Sequence, residues 1–496
     1  VNKRSGLLMP TVETDERLGD TFSIPIFYNI QSNQDLTFTP TVQSNSNNFY
    51  SLNYRYMDEI GNLNLDASID DNDDKNGSSN HLFLNANIKN PIGNLETYLQ
   101  TSNNDTYMRK NKINKLTVLK SGLNFQKSTD EALLSIEAKS YKHLTVQNSE
   151  QWEYVYPKLV YNINNIETSF LNERFSLYNE MLIKKDIDEN YTSLISSQVN
   201  FKSNQIDRNS GYTFKNDANF RVVSVSIDNK TSKDINNIRF FPQISSKITY
   251  PLLKNTGDFN QTLTPIIMPI IAPYNNYTDH QEITNSNLFS LNRASSITEW
   301  ESGPRINFGI EWFGDNNDGS NVRVLLGQNF KINKNSNDSS KELSDYYLNS
   351  NVTINKNNYL NNSFVIDRND IDIKTINVNS YSEFNDLKLA MDYDYTSGKY
   401  NTAKEQLAIG GEYNFGKDFY LKFTGSKNLD TNKNIGYQYG LLYENDCLGI
   451  DLNYYRDLTV DRDIEESDGF SFTVVLKPFG STKNYGKVKT FGPELN

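Results

Sequence analysis

Residues Leu407–Phe415 read LAIGGEYNF. Leu407, Ile409, Gly411, Tyr413 and Phe415 fall on one side of an extended chain, with smaller or polar residues on the other. This period of two marks a β-strand whose two faces meet different surroundings. The same alternation recurs along the chain. Leu134, Ile136 and Ala138 oppose Ser135, Glu137 and Lys139; Tyr437, Tyr439, Leu441 and Tyr443 oppose Gln438, Gly440 and Glu444; Phe470, Phe472, Val474 and Leu476 oppose Ser471, Thr473 and Lys477. Such runs, about 8 to 11 residues long, are separated by clusters of Asn, Asp, Ser and Gly.

Alternation alone suits a sandwich in water as well as a barrel in a bilayer. Composition separates the two. The chain is 36% hydrophobic and 12% aromatic, its 31 Tyr and 27 Phe spread from end to end, and its mean hydropathy is −0.66. A water-soluble chain of 496 residues with so little aliphatic content has little with which to fill a core, whereas a wide barrel needs only every second strand residue apolar, facing lipid. Aromatics gather at strand ends, as in interface girdles, and no helical segment interrupts the pattern. Sandwich modules of about 100 residues would also need linkers, and the sequence reads without them. The most apolar stretch, Leu263–Pro273, is interrupted by three prolines and falls well short of the roughly 18 apolar residues of a membrane-spanning helix.

At roughly 18 to 20 residues per strand with its share of turn, the length corresponds to about 26 strands. The expected fold is therefore all-β, a large transmembrane antiparallel β-barrel over residues 21–480, with a linker over 1–20 before it and a tail over 481–496 after it. The lumen of such a barrel is too wide for side chains to fill. It is expected to hold water or a separate plug. Val1–Pro10, VNKRSGLLMP, lacks the charged, apolar and small-residue order of a signal sequence, so a mature chain or a fragment is expected. Asp70–Ser79, Tyr274–Asn287 and Asn335–Ser344 read as long polar loops; the acidic residues of the first are expected to be solvated rather than metal-bound, because the EF-hand glycine and terminal glutamate are missing.

The net charge of −12 speaks against nucleic acid, whose phosphates require a basic stripe. His81, His143 and His280 lie far apart in sequence, and nothing marks a Ser–His–acid set. No enzymatic activity, metal site or cofactor is expected. Cys447 is the one cysteine, so an intrachain disulfide is excluded.

One segment resembles a known family. Phe22–Pro40 reads FSIPIFYNIQSNQDLTFTP, and Pro25, Phe27, Tyr28, Asn29, Ile30, Asn33, Asp35, Thr37, Thr39 and Pro40 follow in order the pattern of the opening barrel strands of the LptD family of lipopolysaccharide-assembly proteins. Lys3–Pro10 resembles the linker before that barrel, Asn104–Arg109, with Tyr107 and Arg109, its T-Y-L-R segment, and Trp152–Tyr161 its aromatic-Val-Tyr-Pro piece. Leu263–Pro273 and Asn285–Gly309 are similar to its central loop and following strand through Asn287, Leu288, Phe289, Asn292, Arg293, Glu301, Gly303, Arg305, Asn307 and Gly309. Gly469–Phe479 resembles its aromatic-alternating terminal strand.

The resemblance implies residence in the outer membrane and passage of lipopolysaccharide through the lumen and a lateral gate, where the first and last strands part. Pro25 and Pro40 would weaken that seam, opposite Phe470, Phe472, Val474 and Leu476, since proline donates no ladder hydrogen bond; by residue type alone each proline equally well ends a strand. The implied partners are lipopolysaccharide, an LptE-like plug lipoprotein, periplasmic bridge proteins of lipopolysaccharide transport and the barrel assembly machinery. The family's N-terminal periplasmic jellyroll domain is absent from this chain, and Cys447 stands where the family carries paired cysteines for an interdomain disulfide. A general diffusion or nutrient-uptake barrel is the competing expectation, and a structural or adhesive β protein a third.

Overall fold

The computed structural model describes residues 4–73, 77–146, 151–168, 173–230, 233–274, 283–284, 286–294, 300–332, 343–355, 357–460 and 464–476. They form one antiparallel sheet closed on itself, a 26-strand barrel. The expected fold and strand number are thus observed. Each strand pairs with the next in sequence, as a chain of hairpins must, and four strands carry short interruptions: at 8–10, 24–25, 203–205 and 250–251. Closure joins the first strand to the last over Thr11–Asp15 and Gly469–Thr473 and so covers most of both edges, in keeping with the several kcal/mol that an unpaired backbone group costs in hydrocarbon. Among the described residues no helix is long and apolar enough to cross a membrane; the single helix is the four-residue turn Tyr107–Lys110.

The molecule is apolar outside and polar inside. In Lys404–Gly416, Ile409 and Tyr413 are 43% and 47% exposed, while Ala408 and Glu412, each one residue before them, are buried. The same holds for Tyr439 against Thr424, and for Phe470 and Phe472 against Thr473. Buried positions include Arg221, Arg239, Gln243, Arg305 and Asn307. In water this arrangement would expose apolar area far beyond that of a stable monomer; in a bilayer it is the required order.

The two rims differ. Connections at one are short, as between Gln31 and Gln34, Asp58 and Gly61, Asn90 and Gly93, and Glu444 and Leu448. At the other rim lie the long connections 103–117, 272–304 and 332–345. Outer-membrane barrels keep short turns on the periplasmic side.

The first strand, β1, is made of Gly6–Leu7 and Thr11–Asp15; β2 of Gly19–Ser23 and Ile26–Gln31; β3 is Gln34–Gln43. The segment expected to be a linker therefore carries the strand that closes the barrel. Its sequence is short and broken by Pro10, so it lacks the longer alternating run by which strands are recognised. Asp70–Ser79, expected as a loop, is largely strand, since Gly61–Asp73 and Gly77–Asn90 pair up to Asp73↔Gly77; Asn and Asp extend a strand where it leaves the bilayer. The tail 481–496, residues 477–480, His280 and most of the expected loops 274–287 and 335–344 lie outside the described residues.

Candidate functional site

The seam pairs Thr11–Asp15 of β1 with Gly469–Thr473 of the last strand, Ser467–Leu476, in five register pairs from Thr11↔Thr473 to Asp15↔Gly469. One further hydrogen bond, Glu16 N to the Asp468 carbonyl at 3.1 Å, extends it toward the long-loop rim. The last strand's other edge makes ten pairs, Leu448↔Leu476 to Asp457↔Ser467. Half of the last strand therefore has no register partner on β1, Ser467 and Asp468 at one end and Val474, Val475 and Leu476 at the other.

Proline sets this gap. On β1 the pairing lapses over Leu8, Met9 and Pro10, between Leu7↔Ile26 and Thr11↔Ser23. On β2 and β3 it lapses between Ser23↔Thr41 and Ile26↔Phe38, opposite Pro25 and Pro40. Only single bonds bridge it, Leu8 N to the Pro25 carbonyl at 2.8 Å and Ile24 N to the Pro40 carbonyl at 3.2 Å. Three prolines on three adjacent strands thus thin the ladder at one level, each lacking the N–H that a sheet interior needs. Pro25 and Pro40, singled out in the sequence, lie on β2 and β3; Pro10, on the seam strand itself, escaped because it stands in the segment read as linker. Phe470 and Phe472 face outward, with Phe472 opposite Val12 and Val12 opposite Phe22, and Tyr454 lies 4.9 Å from Phe470.

Asn29 and Asp35 are register partners at the short-turn rim. Asn29 N donates to Ser5 Oγ at 2.8 Å, and Arg55 Nε donates to the buried Asp35 at 2.7 Å. Cys447 is an exposed free thiol in the turn between Glu444 and Leu448, on the same rim.

The described residues of two long connections, 103–117 and 272–304, pack against the inward face of the wall. In 272–304, the family-pattern residues converge on one carboxylate. Arg293 forms a two-pronged pair with Glu301, Nε to Oε2 at 2.8 Å and Nη2 to Oε1, and Arg305 Nη2 lies 3.2 Å from Oε2. Arg305 is 0% exposed. Burial alone would push the Glu301 carboxyl up, but attraction to Arg305 and Arg293 outweighs it and holds the carboxyl below its ordinary value. Asn292 Oδ1 accepts from Glu301 N at 3.1 Å, Gln243 Nε2 donates to the Glu301 carbonyl at 2.7 Å, and Asn287 Oδ1 accepts from Thr284 N at 2.8 Å. Gly303 sits at φ +83°, where a Cβ would lie 2.6 Å from the Tyr274 ring. Gly309 and Gly327 face each other on neighbouring strands, leaving a bare patch of wall where Leu288 and Phe289 seat. Sequence reading named most of these residues and missed Gln243 and Gly327, which only register places there.

In 103–117, Tyr107 and Met108 are buried with Leu119 and Leu144 against Phe49 and Phe83, and Arg109 continues the same helical turn. Tyr107 OH lies 2.8 Å from Ser68 Oγ, which is 2.6 Å from His81 Nδ1; His81 Nε2 is 2.8 Å from Asp66 Oδ1. The sequence was expected to hold no Ser–His–acid set, yet Ser68↔His81 pairing brings one together. Its geometry is that of a nucleophile and base, but the Ser68 hydroxyl is buried beneath Tyr107. A buried, doubly engaged hydroxyl cannot meet a substrate carbonyl, so the set fastens the loop.

A family model described as "LPS transport system D" matches residues 85–434. Proteins named LPS-assembly protein LptD are similar over short stretches: that of Mannheimia succiniciproducens is 41% identical over 59 residues, 12% of this chain and 8% of that protein; that of Haemophilus influenzae 42% over 59 residues, with the same shares; that of Aliivibrio fischeri 32% over 73 residues, 15% and 9%. The aligned stretches span less than a tenth of these relatives' length. Among solved structures, the siderophore receptor PirA from Pseudomonas aeruginosa is 9% identical, covering 96% of this chain and 81% of that one at a TM-score of 0.38. The alcaligin receptor FauA from Bordetella pertussis is 8% identical, covering 96% and 76% at 0.35.

Proposed function

The chain belongs to the LptD family of the outer membrane, and from that premise we propose that it passes lipopolysaccharide into the outer leaflet through a polar lumen and a seam that parts sideways. The observation that carries this reading is the half-paired seam, five pairs against ten on the neighbouring edge.

The cargo dictates the route. Lipopolysaccharide joins several acyl chains to a large anionic saccharide. Each acyl CH₂ held in water costs about 0.8 kcal/mol, so the chains must stay in or beside hydrocarbon while the saccharide crosses the polar interior. A closed barrel offers no path for both at once; a parted seam does. Parting starts where the ladder is already thin, at Leu8–Pro10 against Val474–Leu476 near the short-turn rim, and runs toward Asp15 and Gly469. The backbone groups it frees face lipid at several kcal/mol each, so the seam stays shut until a cargo or partner compensates them.

On this reading no covalent chemistry falls to the chain. In this proposal the periplasmic jellyroll domain of the family delivers cargo at the short-turn rim, near Asn29 and Asp35, and Cys447, exposed on that rim, is the residue proposed to bond it. An LptE-like lipoprotein fills the lumen, bridge proteins connect the periplasmic side to a source of energy, and the barrel assembly machinery reads the last strand during insertion.

Replacing Pro25 and Pro40 together, by Thr and Val, restores two donors to the ladder. The expected outcome is a folded barrel in outer membranes with slowed appearance of lipopolysaccharide at the cell surface. Normal delivery by the double variant would remove the prolines from the gate.

A further inference from the structure

We infer that residues 103–117 form a strap across the inner side of the seam, and that Lys112 locks the seam's paired half by joining Asp15 to Tyr455. The inference rests on the seam being the moving part. Asp15 ends β1, and its side chain is 1% exposed. One carboxylate oxygen accepts from Arg17 N and Leu18 N, each at 2.9 Å. The other accepts from Lys112 Nζ at 2.9 Å and from Tyr455 OH at 2.9 Å. Lys112 Nζ also donates to Tyr455 OH and lies 4.3 Å from the centre of that ring.

Tyr455 is on the penultimate strand, Leu448–Asp457. Its register partner is Gly469, and the partner of Gly469 across the seam is Asp15. The cluster therefore reaches over the last strand and ties the first strand to the one beyond it. Gly469 makes this reach fit: a Cβ there would lie 2.5 Å from Tyr455 OH and 2.1 Å from the Thr14 carbonyl. Three residues further along the strap, Lys115 Nζ lies 3.4 Å from Asp457 on the same penultimate strand.

The strap's other end is fixed several strands away. Tyr107 is held by Ser68 and packed with Met108 into the apolar cluster on the wall, and Asp105 pairs with Lys142 at 2.8 Å. The seam thus has two unlike halves: one thinned by proline, the other held by a buried carboxylate whose cation comes from a loop. Opening the full seam requires Lys112 to leave, and then Asp15 is a buried charge without its cation, an expensive state. Whatever displaces the strap sets when the gate opens fully.

The test is amide hydrogen exchange of the complete protein in lipid nanodiscs, comparing wild type with Lys112→Ala and, as a milder change that keeps every charge, Tyr455→Phe. Exchange at Thr11–Asp15 and Gly469–Thr473 is expected to quicken about tenfold in Lys112→Ala and less in Tyr455→Phe, a tenfold change being about 1.4 kcal/mol of local opening. Protection in Phe419–Asn428 and Lys433–Glu444 stays unchanged, which shows the barrel folded. Unchanged exchange at the seam in both variants would overturn the strap. Quickened exchange alongside normal lipopolysaccharide delivery by a barrel whose seam is bonded shut would leave the strap standing and remove the gate.

Discussion

Glu301 governs the lumenal loop because it neutralises two guanidinium groups that water does not reach. Arg293 and Arg305 both turn to it, and Gln243 holds its backbone. Glu301→Ala is expected to destabilise the barrel by about 3–5 kcal/mol, since it leaves buried cations without a counter-charge. The measurement is the temperature at which the folded, fast-migrating band disappears on unheated electrophoresis. Arg323→Ala, which removes a pair between the exposed Arg323 and the partly covered Glu311, is expected to shift that temperature less, toward the about 0–1 kcal/mol of exposed pairs. A second expectation follows from the bare glycine patch. Gly327→Leu would occupy the seat of Leu288, release 272–304 from the wall and raise single-channel conductance in planar bilayers. Unchanged conductance would mean that the loop does not narrow the lumen.

Strands carry the argument at the next scale, and here the first three differ from the rest. The strand pairs around Gly61–Asp73 run almost unbroken, whereas β1, β2 and β3 all lapse at the level of Pro10, Pro25 and Pro40. Pro10→Thr adds a donor on the seam strand, and is expected to lower exchange at Val474–Leu476 by severalfold, with cell-surface lipopolysaccharide reduced. The strands themselves were legible in the sequence because alternation over ten residues is a strong signal; Ile409, Tyr413, Phe470 and Phe472 all face outward as their spacing required. β1 was not legible. TVETD has one apolar residue, stands five residues from the start of paired chain and follows a proline; only its partner strands identify it. Ser68, His81 and Tyr107 were likewise unreadable as a group, because their meeting depends on the register of one hairpin and on a loop folding inward. The residues around Glu301 were named from family pattern, yet what they do, gathering on one carboxylate, required the fold.

For the molecule as a whole, the apolar exterior and charged interior make opposite demands on substitution. Ile409→Lys places a charge on the lipid-facing wall and is expected to cost about 2–4 kcal/mol if the residue stands near the bilayer midplane, read as a lower unfolding midpoint in denaturant. Glu412→Gln, on the lumen side three residues away, is expected to leave that midpoint nearly unchanged beyond the loss of its pair with Lys388. On the proposed reading the same inversion gives the barrel its use: a lumen to accept a charged saccharide, a wall for lipid tails to follow, and one line along which the wall is incompletely joined. The most direct measurement joins that line covalently. In the complete protein with Cys447 retained, Glu13→Cys and Ser471→Cys place thiols on register partners across the seam, and each single-cysteine variant controls for what oxidant and reductant do at Cys447. Oxidation is expected to stop the appearance of new lipopolysaccharide at the cell surface, and reduction to restore it. Undiminished delivery through the bonded barrel would contradict lateral passage through this seam.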